Sequence, residues 1–221
     1  MEAEMKKMIL FDLDGTLTES GEGITKSVRY ALEKMGRPEP DLQKLRVFVG
    51  PPLTEQFMAY AGMSREEAEQ AVIYYRERYS VTGIFENRPY PGIPEMLRTL
   101  KESGVLLAVA SSKNTESVDR VLEHFALKEY FDGAVGSELD GRRSKKADVI
   151  EEVLRRFDRS DHRERVIMVG DKEHDVIGAR EAGIPCVGVT YGYGTMEELE
   201  HVKPSKIVHT VKELLEYLLE L

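Results

Sequence analysis

Two aspartates separated by one residue, in Phe11-Asp12-Leu13-Asp14-Gly15-Thr16, follow a short apolar segment and precede a glycine. An ionised aspartate can attack phosphorus, and a second carboxyl beside it can shuttle a proton to the leaving group. Gly15 permits a sharp turn that a side chain would resist. The alternative is a strand-to-turn junction whose acids are merely solvated. A second acidic pair, Asp171 and Asp175 in Gly170-Asp171-Lys172-Glu173-His174-Asp175, lies one helical turn apart after another apolar run. Hard oxygen ligands at that spacing suit Mg²⁺, which keeps several waters and adds substrate oxygens. The alternative is an acidic first turn favoured by the helix dipole. His174 raises zinc as a further alternative, but zinc sites usually need more nitrogen or sulfur ligands.

Two other pieces lie between these pairs. Ser111 ends an apolar run and is followed by Ser112-Lys113-Asn114. Its hydroxyl could donate to a phosphate oxygen or could cap the next helix. Lys145-Lys146 open a helical pattern, where a cation opposes the dipole, so a buried acidic partner would explain one of them. The alternatives are a solvated basic run, Arg142-Arg143-Ser144-Lys145-Lys146, and a nucleic-acid patch. The second is weakened by the lack of interleaved aromatics.

The elements that must carry these residues alternate. Short apolar runs at Met8–Phe11, 105–110, 166–169, Cys186–Val189 and 207–208 read as strands covered on both faces. Residues 134–135 read as a further short strand or a loop. Amphipathic helical patterns at 94–103, Thr115–His124, 146–157, 174–182 and 211–219 lie between or after them. This alternation predicts an α/β fold with a doubly wound parallel sheet, whose ligands bind at the carboxyl ends of the strands. From residue 21 to 83 the pattern is helical only, at 24–35, 53–60 and 64–79, and Ser64 with Glu67 forms a capping-box signature. A helical insert therefore interrupts the sheet after its first strand. Gly21-Glu22-Gly23 and residues 83–92 are the candidate linkers.

Composition bounds the partners. With 31 basic and 40 acidic residues the formal charge is −9, which disfavours a nucleic-acid polymer as partner. An anionic substrate must then be held by local cations, backbone amides or a metal. A lone cysteine, Cys186, precludes an intrachain disulfide and fits a reducing cytoplasm. The opening MEAEMKKMILFDLDGT reads as neither a secretory signal nor a membrane span, so no membrane partner is expected.

Asp12-x-Asp14-Gly15-Thr16, Ser111, Lys146 and Gly170-Asp171-x-x-x-Asp175, in that order, resemble the four motifs of the haloacid dehalogenase superfamily of phosphohydrolases over nearly the whole chain. The insert resembles the small helical cap of the phosphoglycolate-phosphatase-like branch. Residues 14–27, 49–53, 86–93 and 188–194 resemble the bacterial 5′-nucleotidase-like group. The resemblance implies a core at 1–17 and 87–221 and a small α-helical cap at 18–86. It implies Asp12 as nucleophile and Mg²⁺ ligand, and Asp14 as general acid and base with its backbone carbonyl on the metal. Ser111, Ser112, Gly15 and Thr16 would bind the phosphate. Lys146 would hold the transferring group, its choice over Lys145 resting on the spacing to Ala147-Asp148-Val149-Ile150. Asp171 would bind the metal directly, and Asp175 directly or through water. Glu19 stands where many relatives have aspartate, and the third motif lacks a proline after its lysine.

The expected activity is Mg²⁺-dependent hydrolysis of a small phosphorylated metabolite through an aspartyl phosphate. Nucleoside 5′-monophosphates are the first expected substrate and 2-phosphoglycolate the alternative, with a monomer or weak homodimer as the working unit. The cap would close over the site and exclude water. Gly50-Pro51-Pro52-Leu53 is its candidate substrate-reading loop, with Arg46 and Lys26 as possible contacts. Tyr74, Tyr75, Tyr79 and Phe85 read as cap core rather than a stacking platform, while Tyr191 and Tyr193 are placed to border the pocket. A sugar phosphomutase would need a cap histidine, and residues 21–83 hold none. A dehalogenase or phosphonate hydrolase would lack Asp14, and the latter would use a cap lysine such as Lys26, Lys34 or Lys44. A non-catalytic phosphate-binding protein would have lost a motif carboxylate or the lysine.

Overall fold

A computed structural model describes residues 5–138, 143 and 145–221. Arg142 and Ser144 of the basic run lie outside the described residues. The strands are β1 (Met8–Phe11), β2 (Leu106–Asn114), β3 (Gly133–Ser137), β4 (Val166–Gly170), β5 (Cys186–Val189) and β6 (Lys206–Val208). They form one parallel sheet of order β3-β2-β1-β4-β5-β6. Strands β1, β4 and β5 carry no polar side chain other than Cys186, and β2 is apolar up to Ala110, because both faces are covered. Met8 and Leu10 of β1, Ala108 and Ala110 of β2 and Met168 of β4 share one core with helices α6 (Lys146–Arg156), α7 (Glu173–Glu181) and α8 (Met196–Val202). Ile9, Phe11, Leu107 and Val109 are equally buried on the alternate face, where α4 (Ile93–Glu102) and α5 (Thr115–His124) pack on β2 and α9 (Val211–Glu220) packs on α4.

Chain order and sheet order diverge at β1. β2 and β3 run outward to one side and β4, β5 and β6 to the other, so the carboxyl ends of β1 and β4 flank the switch point where such sheets hold ligands. Asp12 extends that pairing by one residue, its N–H donating to the Val169 carbonyl at 2.9 Å.

The chain divides into two compact units, Met1–Thr18 with Pro89–Leu221, and Glu19–Arg88. The second contains α1 (Gly21–Lys34), α2 (Leu53–Ala61) and α3 (Arg65–Tyr79). Ser64 and Glu67 form the predicted capping box at the start of α3. Phe48 packs on Phe57 with ring centroids 4.8 Å apart, and Tyr75 stacks on Tyr79 at 5.0 Å, both tyrosines buried. These two tyrosines are core of this unit, as expected, whereas Phe85 is exposed.

Three elements differ from the sequence reading. Gly21-Glu22-Gly23 is the first turn of α1, not a linker. Gly23 is small for a packing reason, since a Cβ there would overlap the Gly83 carbonyl oxygen. β2 runs to Asn114 rather than ending at residue 110, with its register on β3 shifting between Ala110 and Asn114. Helix α8 was not expected, although Thr195 and Glu198 form the capping box that announces it. Among the described residues no helix is long and apolar enough to cross a membrane.

Replacing fully buried Leu10 by alanine removes side-chain volume from the centre of the sheet. It is expected to lower unfolding stability by about 3 kcal/mol. Ser64→Ala, which removes only the α3 cap, should cost about 1 kcal/mol. Urea denaturation of both variants checks the ranking, and a Leu10→Ala loss no larger than the Ser64→Ala loss would contradict this account of the core.

Candidate active site

The four predicted motifs meet at the carboxyl ends of β1, β2 and β4. Lys146, the first residue of α6, is buried while Lys145 is exposed. Its ammonium lies 2.7 Å from Asp12 Oδ1 and donates to the Ala110 carbonyl at 2.9 Å. Asp175 Oδ1 is also 2.9 Å from Lys146 Nζ, within ion-pair range but not aligned as a hydrogen bond. One cation thus ties the end of β1, the strand β2 and the first turn of α7. Burial alone would lower the Lys146 pKa, but Asp12 and Asp175 outweigh it and hold the ammonium charged.

The loop after β1 is wound tightly on itself. The Leu13 carbonyl accepts from the Leu17 and Thr18 amides at 3.0 and 2.9 Å, and the Gly15 amide donates to the Thr18 carbonyl at 2.8 Å. Gly15 has φ +91°, a conformation that favours glycine, and a Cβ there would overlap the Asp171 carboxylate. Since its amide is engaged inside the loop, Gly15 contributes shape to the site. The Thr16 hydroxyl donates to Asp171 Oδ1 at 3.4 Å.

Asp171 follows β4. Its Oδ2 accepts from the backbone amides of Tyr193 at 2.7 Å and Gly194 at 3.3 Å. Asp175 Oδ2 accepts from the Lys172 amide at 3.1 Å, so this residue caps α7 and also faces the site. The acidic-turn reading and the ligand reading of Asp175 therefore hold together. Ser111 is buried, and its Oγ accepts from the Lys113 amide at 3.3 Å. The helix-capping role falls to Asn114, whose Oδ1 accepts from the Ser117 amide at 2.9 Å. Ser112 is half-buried, and its carbonyl accepts from Ser137 Oγ at 2.8 Å.

Asp12, Asp171 and Asp175 each offer a carboxylate oxygen, all within 4.8 Å of one another. With Asp14 they make four buried carboxylates facing two ammonium groups, Lys146 and Lys113, an excess of two negative charges. Burial pushes Asp12 up to about 6 against the pull of Lys146, with Asp175 and Asp14 adding to the rise. Burial, then Asp175 and Asp12, push Asp171 up to about 8. The donor set is all oxygen and lacks one divalent charge, which fits Mg²⁺. His174 is exposed and is not one of the three clustered acids.

Sequence reasoning missed two features. Lys113 pairs with Asp14 Oδ2 at 2.8 Å, both side chains nearly enclosed. Its signal was a lysine two residues past Ser111 at the end of an apolar strand. The loop after β5 supplies the amides that hold Asp171, and the Tyr191 hydroxyl donates to the Thr16 carbonyl at 3.2 Å. Tyr191 lies edge-on to Tyr90, with ring centroids 5.1 Å apart. Of the weaker candidates, Lys26 has its ammonium bound by Glu22 at 2.6 Å and Glu86 at 3.1 Å, which explains it as an ion pair of its own unit.

Known proteins are similar to this chain in sequence and fold. The crystal structure of a predicted phosphatase from Clostridium acetobutylicum matches with a TM-score of 0.94 at 47% identity, covering 99% of this chain and 100% of that one. A 5′-nucleotidase of Pseudomonas aeruginosa is 45% identical over 89% of this chain and 88% of that protein. The tyrosine-protein kinase PtkA of Mycobacterium tuberculosis is 39% identical over 97% of this chain and 73% of that protein. The family pattern of haloacid dehalogenase-like hydrolases matches residues 9–189. The chain belongs to the haloacid dehalogenase-like hydrolase family, as a phosphatase.

Proposed function

We propose that the protein hydrolyses nucleoside 5′-monophosphates in two phosphoryl-transfer steps through Asp12, with Mg²⁺ bound. The observation that carries this reading is the buried Asp12 carboxylate held at 2.7 Å by the Lys146 ammonium, inside a cluster of acids that lacks one divalent charge. The likeness to a 5′-nucleotidase at 45% identity supports the substrate class.

In the first step an Asp12 carboxylate oxygen bonds to phosphorus while the bond to the leaving oxygen breaks. Asp14 gives that oxygen a proton, so an alcohol departs. In the second step a water oxygen bonds to the same phosphorus and Asp14 takes a water proton. The phosphorus bond to Asp12 breaks, releasing inorganic phosphate and restoring the carboxylate. Lys146 and the Ser111 hydroxyl hold the phosphoryl oxygens as charge spreads over them. Ser112, Gly15 and Thr16 shape the surrounding loops. Asp12, Asp171, Asp175 and the Asp14 carbonyl would hold Mg²⁺, which supplies charge neutralisation and orientation when bound. The reading requires only a small phosphorylated metabolite as partner and a reducing, cytoplasmic setting, with the chain as a monomer or weak homodimer.

Phosphate release with Mg²⁺ is expected from a panel of nucleoside 5′-monophosphates, 2-phosphoglycolate, sugar phosphates, an aryl phosphate, and ATP with a tyrosine peptide. The nucleotides should rank first. Asp12→Asn should lower release on the order of a thousandfold or more. A ranking led by 2-phosphoglycolate would overturn the substrate, transfer to the peptide would overturn hydrolysis, and activity surviving Asp12→Asn would overturn the nucleophile.

The raised acids also set a pH dependence. An unfolded aspartate releases its proton near pH 3.8, whereas Asp12 and Asp171 in the folded chain hold theirs to about 6 and about 8. The unfolded state therefore binds fewer protons across that window, so stability falls as pH rises from about 4 to about 8. The thermal midpoint of chelator-treated protein should drop between pH 5 and pH 8, and Mg²⁺ should restore more of it at pH 8. Asp171→Asn should flatten the slope. An Asp171→Asn profile as steep as the wild type would show that these acids are not its source.

A further inference from the structure

Asp14 has two oxygens in unlike surroundings. Oδ2 pairs with Lys113 Nζ at 2.8 Å, the two side chains being 10% and 8% exposed. Oδ1 is buried with no hydrogen-bond partner among the described residues. An enclosed carboxylate oxygen without a donor is costly unless something meets it during function. The backbone that presents Lys113 is anchored on both sides. Its amide donates to Ser111 Oγ at 3.3 Å, and the next residue, Asn114, caps α5 while pairing with Ser137 of β3. The register shift between Ala110 and Asn114 lies in this same stretch of β2, so Lys113 departs from regular strand geometry where its side chain is used.

We propose that Lys113 is a positioning residue of the phosphatase reaction: it grips Asp14 by Oδ2 and so turns Oδ1 toward the leaving-group oxygen. The proposal rests on the two-step reading above. As the phosphorus bond to the leaving oxygen breaks and the bond to Asp12 forms, the proton on Asp14 Oδ1 passes to the leaving oxygen, which departs as the alcohol. When water later bonds to phosphorus and the Asp12 bond breaks, the water proton returns to Oδ1. Lys113 gains and loses nothing in either step. A lysine that merely balanced the charge of a buried aspartate would serve every substrate alike. One that orients the proton donor matters most where the leaving group needs the proton. An alkyl phosphate such as a nucleoside 5′-monophosphate expels a poor leaving group, whereas p-nitrophenyl phosphate expels a stable phenolate with little help.

The test compares full-length wild type, Lys113→Met, Lys113→Arg, Asp14→Asn and the Lys113→Met/Asp14→Asn double variant, with Mg²⁺, on p-nitrophenyl phosphate and on the best alkyl phosphate of the panel. Lys113→Met should lose at least about tenfold more kcat on the alkyl than on the aryl substrate. Lys113→Arg should recover most of that difference, and the double variant should show no selectivity beyond that of Asp14→Asn. Equal losses on both substrates, no loss, or additive effects in the double variant would overturn the proposal. If Lys113→Met fails to fold, Lys113→Gln takes its place: an alkyl-selective loss relative to wild type that Lys113→Arg does not show supports positioning, and its absence overturns it. Asp12→Asn on p-nitrophenyl phosphate reads the nucleophile separately. A loss there together with an unselective Lys113→Met would sink the role of Lys113 and leave the two-step reading standing. Activity surviving Asp12→Asn would sink both, as would a wild type inactive on both substrates.

Discussion

The Lys146 ammonium between Asp12 and Asp175 is the interaction on which the rest of the site depends. Taking a charge out of water costs several kcal/mol, and only close partners on several sides offset it. Those partners come from β1 and α7 and from the Ala110 carbonyl of β2, so the ion cluster can form only when the sheet has its order around β1. The converse also holds. Without Lys146, Asp12 and Asp175 would be buried acids facing Asp171 with one cation fewer. Fold and chemistry are thus coupled through one side chain, and a substitution there acts on both.

The parallel sheet explains why the site lies where it does. Strands β1 and β4 are neighbours in space but distant in sequence, and the residues just past their ends carry Asp12 and Asp171. Because each crossover returns the chain to the amino-terminal end of the sheet before the next strand, the loops at the carboxyl ends can be varied while the bodies of the strands stay apolar. The loop after β5 uses this freedom: its Tyr193 and Gly194 amides satisfy Asp171 Oδ2 without adding charge. Asp171 is therefore oriented by backbone groups, while the Lys146 and Lys113 ammonium groups pair directly with the neighbouring acids.

Much of this was legible in the sequence because the physical signals were local. Residues 8–11 and 186–189 are strands on both readings, since burial on two faces leaves an uninterrupted apolar run. The helix over 115–124 was legible from its apolar stripe. The end of β2 was not, because Ser111-Ser112-Lys113-Asn114 is polar and is held as strand by β3 and by site contacts that no local pattern announces. Gly21-Glu22-Gly23 read as a linker because two glycines usually loosen a chain, whereas here Gly23 admits the backbone of residue 83. The partnership of Lys113 with Asp14 joins residues 99 positions apart by number, and only the assembled sheet brings them together. The burial of Lys146 in place of Lys145 is likewise a matter of which way the first turn of α6 faces.

Charge imposes an order on the proposed reaction. The chain carries a formal −9, and the site itself has two more carboxylates than ammonium groups. A phosphate monoester arrives as an anion, and in a site of low effective dielectric a like charge a few ångströms away costs several kcal/mol. Lys146 cannot offset this alone, because its charge is already shared between Asp12 and Asp175. A divalent cation held by Asp12, Asp171 and Asp175 would offset that excess before the substrate anion arrives. Under the proposed reaction the cation therefore precedes the substrate. The same crowding of buried acids that raises Asp12 and Asp171 would favour a cation in the proposed reaction.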